Sequence, residues 1–263
     1  MNRIDKKFKA LKKQRKKAFI AYITAGDPDL KTTERIVLAL EKSGVDLVEL
    51  GIPFSDPIAD GPTIQAASQR ALKHGATLKK IFAMVKDLRR RTEIPIVFMT
   101  YCNPVFKFGL AGFFKACHNT GVDGVIVPDL PIEEAGGLVK LGRKNGVSTI
   151  FLAAPTSSKD RAREIAARSR GFIYYVSLTG VTGAREKLPA EVLSNVRMIK
   201  SVTDKPVAVG FGISDAKQAR MIAKVADGVI VGSAIVKIVG ARDNIIAKVS
   251  NFARKLAKAI HGG

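Results

Sequence analysis

A single α/β domain in which eight strand–helix units close on themselves is the fold this sequence predicts, and three observations predict it. Short β-branched runs alternate with stretches that carry apolar residues at helical spacing. An internal echo runs through the chain: Gly-Val-Asp-Leu-Val-Glu-Leu (44–50), Gly-Val-Asp-Gly-Val-Ile-Val (121–127) and Ala-Asp-Gly-Val-Ile-Val-Gly (226–232) are versions of one unit. The 263 residues show no composition break, and one α/β barrel takes about 250. A doubly wound open sheet is the competing arrangement. Against it, no Gly-x-Gly-x-x-Gly follows the first strand.

The first element is basic. Nine of the first 17 residues are Lys or Arg, while Ile4, Phe8 and Leu11 recur at helical spacing. Residues 3–16 therefore read as an amphipathic helix that caps the bottom of the barrel. Its three apolar residues make a thin face for a membrane-surface or targeting role. Strands follow at 19–24, 45–50, 94–99, 122–127, 148–152, 172–177, 206–210 and 228–231, and helices at 30–43, 62–74, 77–91, 132–145, 158–169, 189–202, 214–225 and 241–260. This is the arithmetic of a (β/α)8 TIM barrel with an extra N-terminal amphipathic helix, one domain over 1–263 with the basic helix inside 1–17.

Composition excludes several function classes. No apolar run reaches the roughly 20 residues of a membrane span, and the N-terminus lacks the apolar core of a secretory signal. Two cysteines (Cys102, Cys117) and three scattered histidines (His74, His118, His261) form neither a disulfide framework nor a metal-ligand spacing. A cytoplasmic protein without a metal is expected. The net charge of +21, from 44 basic against 23 acidic residues, is the unusual number. Beyond residue 17 the cations are spread along the helices without aromatic interleaving or a nucleic-acid motif, so a solvated basic surface is expected rather than nucleic-acid binding.

In such barrels the chemistry sits at the C-terminal ends of the strands. In the second strand Val45, Leu47 and Glu49 point one way and Asp46, Val48 and Leu50 the other, which aims Glu49 into the barrel mouth. A buried acid is costly unless paired or neutralised, so its presence there suggests proton transfer; a salt-bridged structural glutamate is the alternative. The loop 51–61 is shaped by prolines and glycines and carries Asp60, which is either a second functional acid or the cap of helix 62–74. Gly-Phe-Gly-Ile-Ser (210–214) and Gly-Ser-Ala-Ile-Val (232–236) follow the last two strands, where barrel enzymes bind phosphate, and Ser233 is placed to cap a short extra helix. Residues 179–189 read as a lid with glycine hinges. Tyr22, Tyr101, Tyr174 and Phe211 lie near strand ends, where together they can wall a pocket for a flat apolar group.

These residues resemble one family. Tyr-Ile-Thr-Ala-Gly-Asp-Pro (22–28), Glu-Leu-Gly-Ile-Pro-Phe-Ser-Asp-Pro-Ile-Ala-Asp-Gly-Pro-Thr-Ile-Gln (49–65), Met-Thr-Tyr-Cys-Asn-Pro (99–104), Val-Pro-Asp-Leu-Pro (127–131), Gly-Val-Thr-Gly (180–183) and the two glycine turns are similar to the motifs of the tryptophan synthase alpha chain. The resemblance covers nearly the whole chain and implies retro-aldol cleavage of indole-3-glycerol phosphate to indole and glyceraldehyde 3-phosphate. By the same resemblance, Glu49 moves protons to C3 of the indole and from the side-chain hydroxyl. Asp60 bonds the indole NH, and Tyr174 matches the active-site tyrosine. Tyr22, Ile64, Tyr101 and Phe211 match the indole pocket; phenylalanine is another residue the family uses at position 22. Gly183, Gly212, Gly232 and Ser233 match the phosphate binders, and Thr182 falls among the substrate-binding residues. The resemblance further implies an α2β2 complex with a beta chain that receives the indole and alone carries pyridoxal phosphate (PLP). Residues 53–60 and the 179–189 lid would form or communicate across that contact. Another phosphate-binding barrel reaction, or a chain serving mainly to activate the partner, are the rival readings.

Overall fold

The computed structural model describes residues 2–176, 190–210 and 212–262. Its strands are β1 (Ala18–Thr24), β2 (Leu47–Gly51), β3 (Ile96–Met99), β4 (Gly124–Ile126), β5 (Ser148–Ile150), β6 (Leu152–Ala153), β7 (Ile173–Val176), β8 (Val207–Gly210) and β9 (Gly228–Val231). They form one sheet in the order β5-β4-β3-β2-β1-β9-β8-β7-β6, and every pairing is parallel. The two ends of that order are halves of one predicted strand. β5 pairs with β4, and β6, one residue further on past Phe151, pairs with β7. Tilted barrel strands meet their two neighbours at staggered heights. The interruption at Phe151 is that stagger, and the eight-stranded barrel closes through it.

The helices are α1 (Arg3–Lys13), α2 (Leu30–Lys42), α3 (Pro62–Lys73), α4 (Leu78–Leu88), α5 (Cys102–Phe108), α6 (Leu110–Thr120), α7 (Gly136–Asn145), α8 (Lys159–Arg168), α9 (Ala190–Lys200), α10 (Ala216–Ala223), α11 (Ser233–Gly240) and α12 (Ile245–His261). Strand alternation sorts the core into two layers. Leu47, Val97, Ile126, Ile150 and Tyr174 fill the barrel interior, while Val48, Leu50, Phe98 and Tyr175 pack outward against the helices. The interior layer also contains Ile4, Phe8 and Leu11 of α1, so this helix plugs the bottom of the barrel as its spacing predicts. A capping box between Asn2 and Asp5 starts it. The Asn2 amide then donates to the Asp123 carbonyl and the Ser148 hydroxyl, each at 2.8 Å, fastening α1 beneath β4 and β5.

Three expectations change. Val45 lies with the outer layer rather than beside Leu47, because β2 begins two residues later than predicted. The segment between β3 and β4 holds α5 and α6, which the periodicity reading omitted; Gly109, at φ 90°, breaks the pattern into two short pieces. The predicted helix 241–260 is preceded by the separate α11, with left-handed Arg242 and Asn244 in the turn between α11 and α12.

Candidate active site

β2 delivers Glu49 to the barrel mouth. It stands opposite Tyr22 of β1 and Val97 of β3, is 0% exposed, and neither carboxyl oxygen has a hydrogen-bond partner among the described residues. An unpaired ionised carboxylate in that position is costly, so the neutral form is favoured. Burial first, and the nearby Asp60 charge second, push the Glu49 pKa to about 8. No cation pairs with Glu49 among the described residues, which removes the structural salt-bridge alternative.

Asp60 arrives from the loop between β2 and α3. The N-cap of α3 is Gly61, with Pro62 in the first turn and no side-chain cap bond, so Asp60 is not a helix cap. Nor is it an exposed acid. It is half-buried, and burial raises its pKa, opposed by a hydrogen bond with Tyr101. The Ala59 N–H donates to the Tyr101 hydroxyl at 3.1 Å, and the Phe54 ring packs on Tyr101 with centroids 5.4 Å apart. Gln65 donates to the Asp60 carbonyl at 2.8 Å. Tyr101 therefore pins the loop and touches its acid.

Tyr22 packs with Ile64, Ala67, Val236 and Met99. Its hydroxyl lies across Gly51, where a Cβ would stand 2.0 Å from that oxygen. Tyr174 faces the barrel interior with its hydroxyl against Gly210, where a Cβ would come within 2.8 Å. Its neighbour Tyr175 faces the helices and accepts a bond from the Asn195 side chain at 3.1 Å, as alternation predicts. Burial raises the pKa of Tyr22 and of Tyr174 well above normal, and the charges of Asp60 and Glu49 raise both further. Two acids and three tyrosines thus share one electrostatic environment.

Gly232 is the N-cap of α11, not Ser233, which is the first helical residue and makes no cap bond. The Ile235 and Val236 N–H groups bond to the Gly232 carbonyl at 2.8 and 3.1 Å. The N–H groups of Ser233 and Ala234 precede the intrahelical ladder and face the helix end, which attracts anions. No acidic residue occupies this first turn. Gly232 abuts Tyr22, since a Cβ there would sit 3.4 Å from the tyrosine Cβ. Gly212 takes φ 45°, in the left-handed region that favours glycine. Phe211, Thr182, Gly183 and the 179–189 lid lie outside the described residues.

Some participants had no separate signal in the sequence. Met99 and Val236 complete the tyrosine pocket, and Gly51 is needed for the Tyr22 ring. Two mouth acids are structural instead. Asp27 holds Arg70 of α3 through bonds of 2.8 and 2.6 Å, and Asp129 accepts the Cys102 N–H at the start of α5. Among the described residues no cluster of three or more His, Cys, Asp or Glu side chains has the arrangement of a metal site.

A closed (β/α)8 barrel with a neutral buried carboxyl, a second acid on a pinned loop and a glycine-capped helix beside them is the architecture of an acid–base barrel enzyme for a phosphorylated substrate. Residues 8–261 match the family model described as tryptophan synthase alpha chain. The chain is 55% identical over 237 residues to the tryptophan synthase alpha chain of Geotalea daltonii, covering 90% of each chain. It is similar to the crystal structure of tryptophan synthase subunit alpha from Legionella pneumophila, with TM-score 0.92, 38% identity and coverage of 99% and 98%. It is also similar to a chain of the tryptophan synthase a2b2 complex from Pyrococcus furiosus, with TM-score 0.87, 42% identity and coverage of 92% and 98%. The chain belongs to the tryptophan synthase alpha chain family.

Proposed function

We propose that Glu49 and Asp60 carry out the family's reaction, cleavage of indole-3-glycerol phosphate to indole and glyceraldehyde 3-phosphate, as one barrel domain over residues 1–263. The observation that carries this reading is the fully buried Glu49 carboxyl with a pKa of about 8. It is mostly protonated at neutral pH and so is charged with the proton that the reaction first requires. The bond between C3 and the glycerol carbon cannot break while the indole is aromatic. Glu49 protonates C3, and the ring nitrogen becomes cationic. Asp60, ionised and held by Tyr101, accepts the ring N–H and stabilises that charge. The Glu49 carboxylate then takes the proton of the hydroxyl on the adjacent carbon. That carbon becomes the aldehyde as the bond electrons return to the ring, and indole leaves with Glu49 protonated again.

The remaining residues bind and orient. Tyr22, Ile64 and Tyr101, with Phe211, wall the indole, and Tyr174 closes the inner side. Gly212, Gly232 and Ser233, with Thr182 and Gly183, hold the phosphate through backbone N–H groups and the α11 terminus. These steps ask no cofactor of this chain, and PLP belongs to the beta chain.

The partner is that beta chain, in an α2β2 assembly like the one described for the Pyrococcus furiosus relative. Ile58, 81% exposed, and Phe106, 58% exposed, are large apolar side chains at the mouth of the barrel. Such side chains are what a partner covers. No helix among the described residues is long and apolar enough to cross a membrane, and we place the enzyme in the cytoplasm. Indole release from indole-3-glycerol phosphate, with and without a beta chain, tests the proposal. Indole formed with glyceraldehyde 3-phosphate in equal amounts supports it, and stable substrate under both conditions overturns it.

A further inference from the structure

The end of the barrel opposite the carboxylates holds a cavity of about 630 Å³ between α1 and the residues that lead into β1, β7, β8 and β9. Its volume is within the range of small-molecule sites. Seven of its lining residues are Lys or Arg and three are Asp. Two of these aspartates are already engaged: Asp5 in the capping box of α1, and Asp227 with Lys200 at 2.7 Å and Lys17 at 3.8 Å. The side chains of Lys9, Lys12, Arg15 and Lys16 line the cavity, and none has a hydrogen bond or ion pair among the described residues. An adjoining cleft shares Lys205 and Pro206 and brings in Arg143 and Arg170.

We propose that this cavity is a second ligand site, for a polyphosphate joined to a flat apolar group, the chemistry of a nucleoside triphosphate. The cations supply the phosphate end. Phe8 and Leu11, buried beneath the cations, and the half-buried Pro206 form the apolar floor for the flat end. Arg15 has φ 57°, a conformation L side chains rarely adopt, in the turn where glycine usually ends a helix. Keeping arginine there places a guanidinium at the cavity at the expense of local backbone comfort. The Lys205 ammonium donates to the Ala166 and Ser169 carbonyls, the latter at 2.8 Å. Burial, with Arg143 and Arg170 adding to it, lowers its pKa, the direction expected where positive charge is uncompensated.

The test is calorimetric titration of the full chain with ATP, and separately with inorganic tripolyphosphate, at low and at high salt. One ATP per chain is expected, tighter than tripolyphosphate and weakened by salt. Replacing Lys12→Gln and Lys16→Gln together should weaken ATP about tenfold or more, the scale of losing two charge-assisted contacts. The same charge loss on α4, Lys79→Gln with Lys86→Gln, should leave ATP binding unchanged. Arg15→Gly, which relieves the positive φ and so folds at least as well, should also weaken ATP. No binding at roughly 1 mM ATP, the weakest affinity worth calling a site, overturns the proposal. So do equal losses in the α1 and α4 variants, tripolyphosphate binding as tightly as ATP, or a DNA duplex that binds where ATP does not compete.

Discussion

Tyr22 of β1 and Glu49 of β2 stand at facing positions of two parallel strands, and the tyrosine ring reaches past the glutamate to lie across Gly51. One glycine therefore lets an aromatic wall and a buried acid occupy the same end of the barrel. In Gly51→Ala the added Cβ would meet the Tyr22 hydroxyl at 2.0 Å. The expected result is a loss of about 1–3 kcal/mol in stability, typical of overpacking, with kcat/KM down at least about tenfold. Denaturant unfolding and steady-state kinetics measure both.

The Glu49 pKa makes a signed prediction. Its folded value of about 8 lies above the ordinary 4.5, so the folded protein holds a proton that the unfolded chain releases between those values. Stability contributed by the neutral form is present below pH about 4.5 and is lost as pH rises toward about 8. Glu49→Gln, which cannot ionise, should unfold later than the parent at pH 8–9, by on the order of a few kcal/mol. The gap should close near pH 4–5. Paired melts across pH measure it; a constant gap would mean the carboxyl is not neutral in the fold. The parent's kcat/KM should fall above pH about 8 for the same reason.

Tyr101 joins the loop backbone at Ala59 to the Asp60 carboxyl. Tyr101→Phe leaves the ring in place and removes both bonds. Its hydrogen bond currently lowers the Asp60 pKa, so the variant should raise that pKa and weaken stabilisation of the cationic ring. A drop in kcat/KM of about tenfold, corresponding to roughly 1–2 kcal/mol, is expected with little change in Tm. Unchanged kinetics would free Asp60 from dependence on the tyrosine.

Phe106 tests the partner surface. Phe106→Ser should weaken binding to the beta chain about tenfold, the effect of removing an interface anchor. Indole release by the isolated chain should not change, since Phe106 is not among the residues that line the pocket. Surface plasmon resonance against an immobilised beta chain measures the first, and the indole assay the second.

The barrel was readable because its signals are local and repeated. Each strand is a short β-branched apolar run, and Ile4, Phe8 and Leu11 mark the inner face of α1 by spacing alone. What escaped was set by long-range geometry. Leu110, Phe113, Phe114 and Cys117 do recur at helical spacing, yet Pro104, Gly109 and Gly112 hid α5 and α6. Glu49 was legible as an acid on an apolar strand, whereas its lack of a partner among the described residues depends on which side chains the barrel brings near it. Asp60 looked like a possible cap because aspartate often is one, and only the position of Gly61 and Pro62 in the first turn decides against it. The proposed phosphate turns were legible as glycine pairs, but that Gly232 rather than Ser233 caps α11 required the backbone itself.

In the proposed reaction one carboxyl, Glu49, carries the proton to and from the substrate. Cleavage of indole-3-glycerol phosphate by Glu49→Gln, followed as indole released per chain alongside substrate affinity, tests it most directly. The expected result is a loss of about 10² to 10⁴ in turnover, the scale of general acid–base catalysis, with substrate and beta chain still bound. Turnover within a few-fold of the parent in that variant would contradict it.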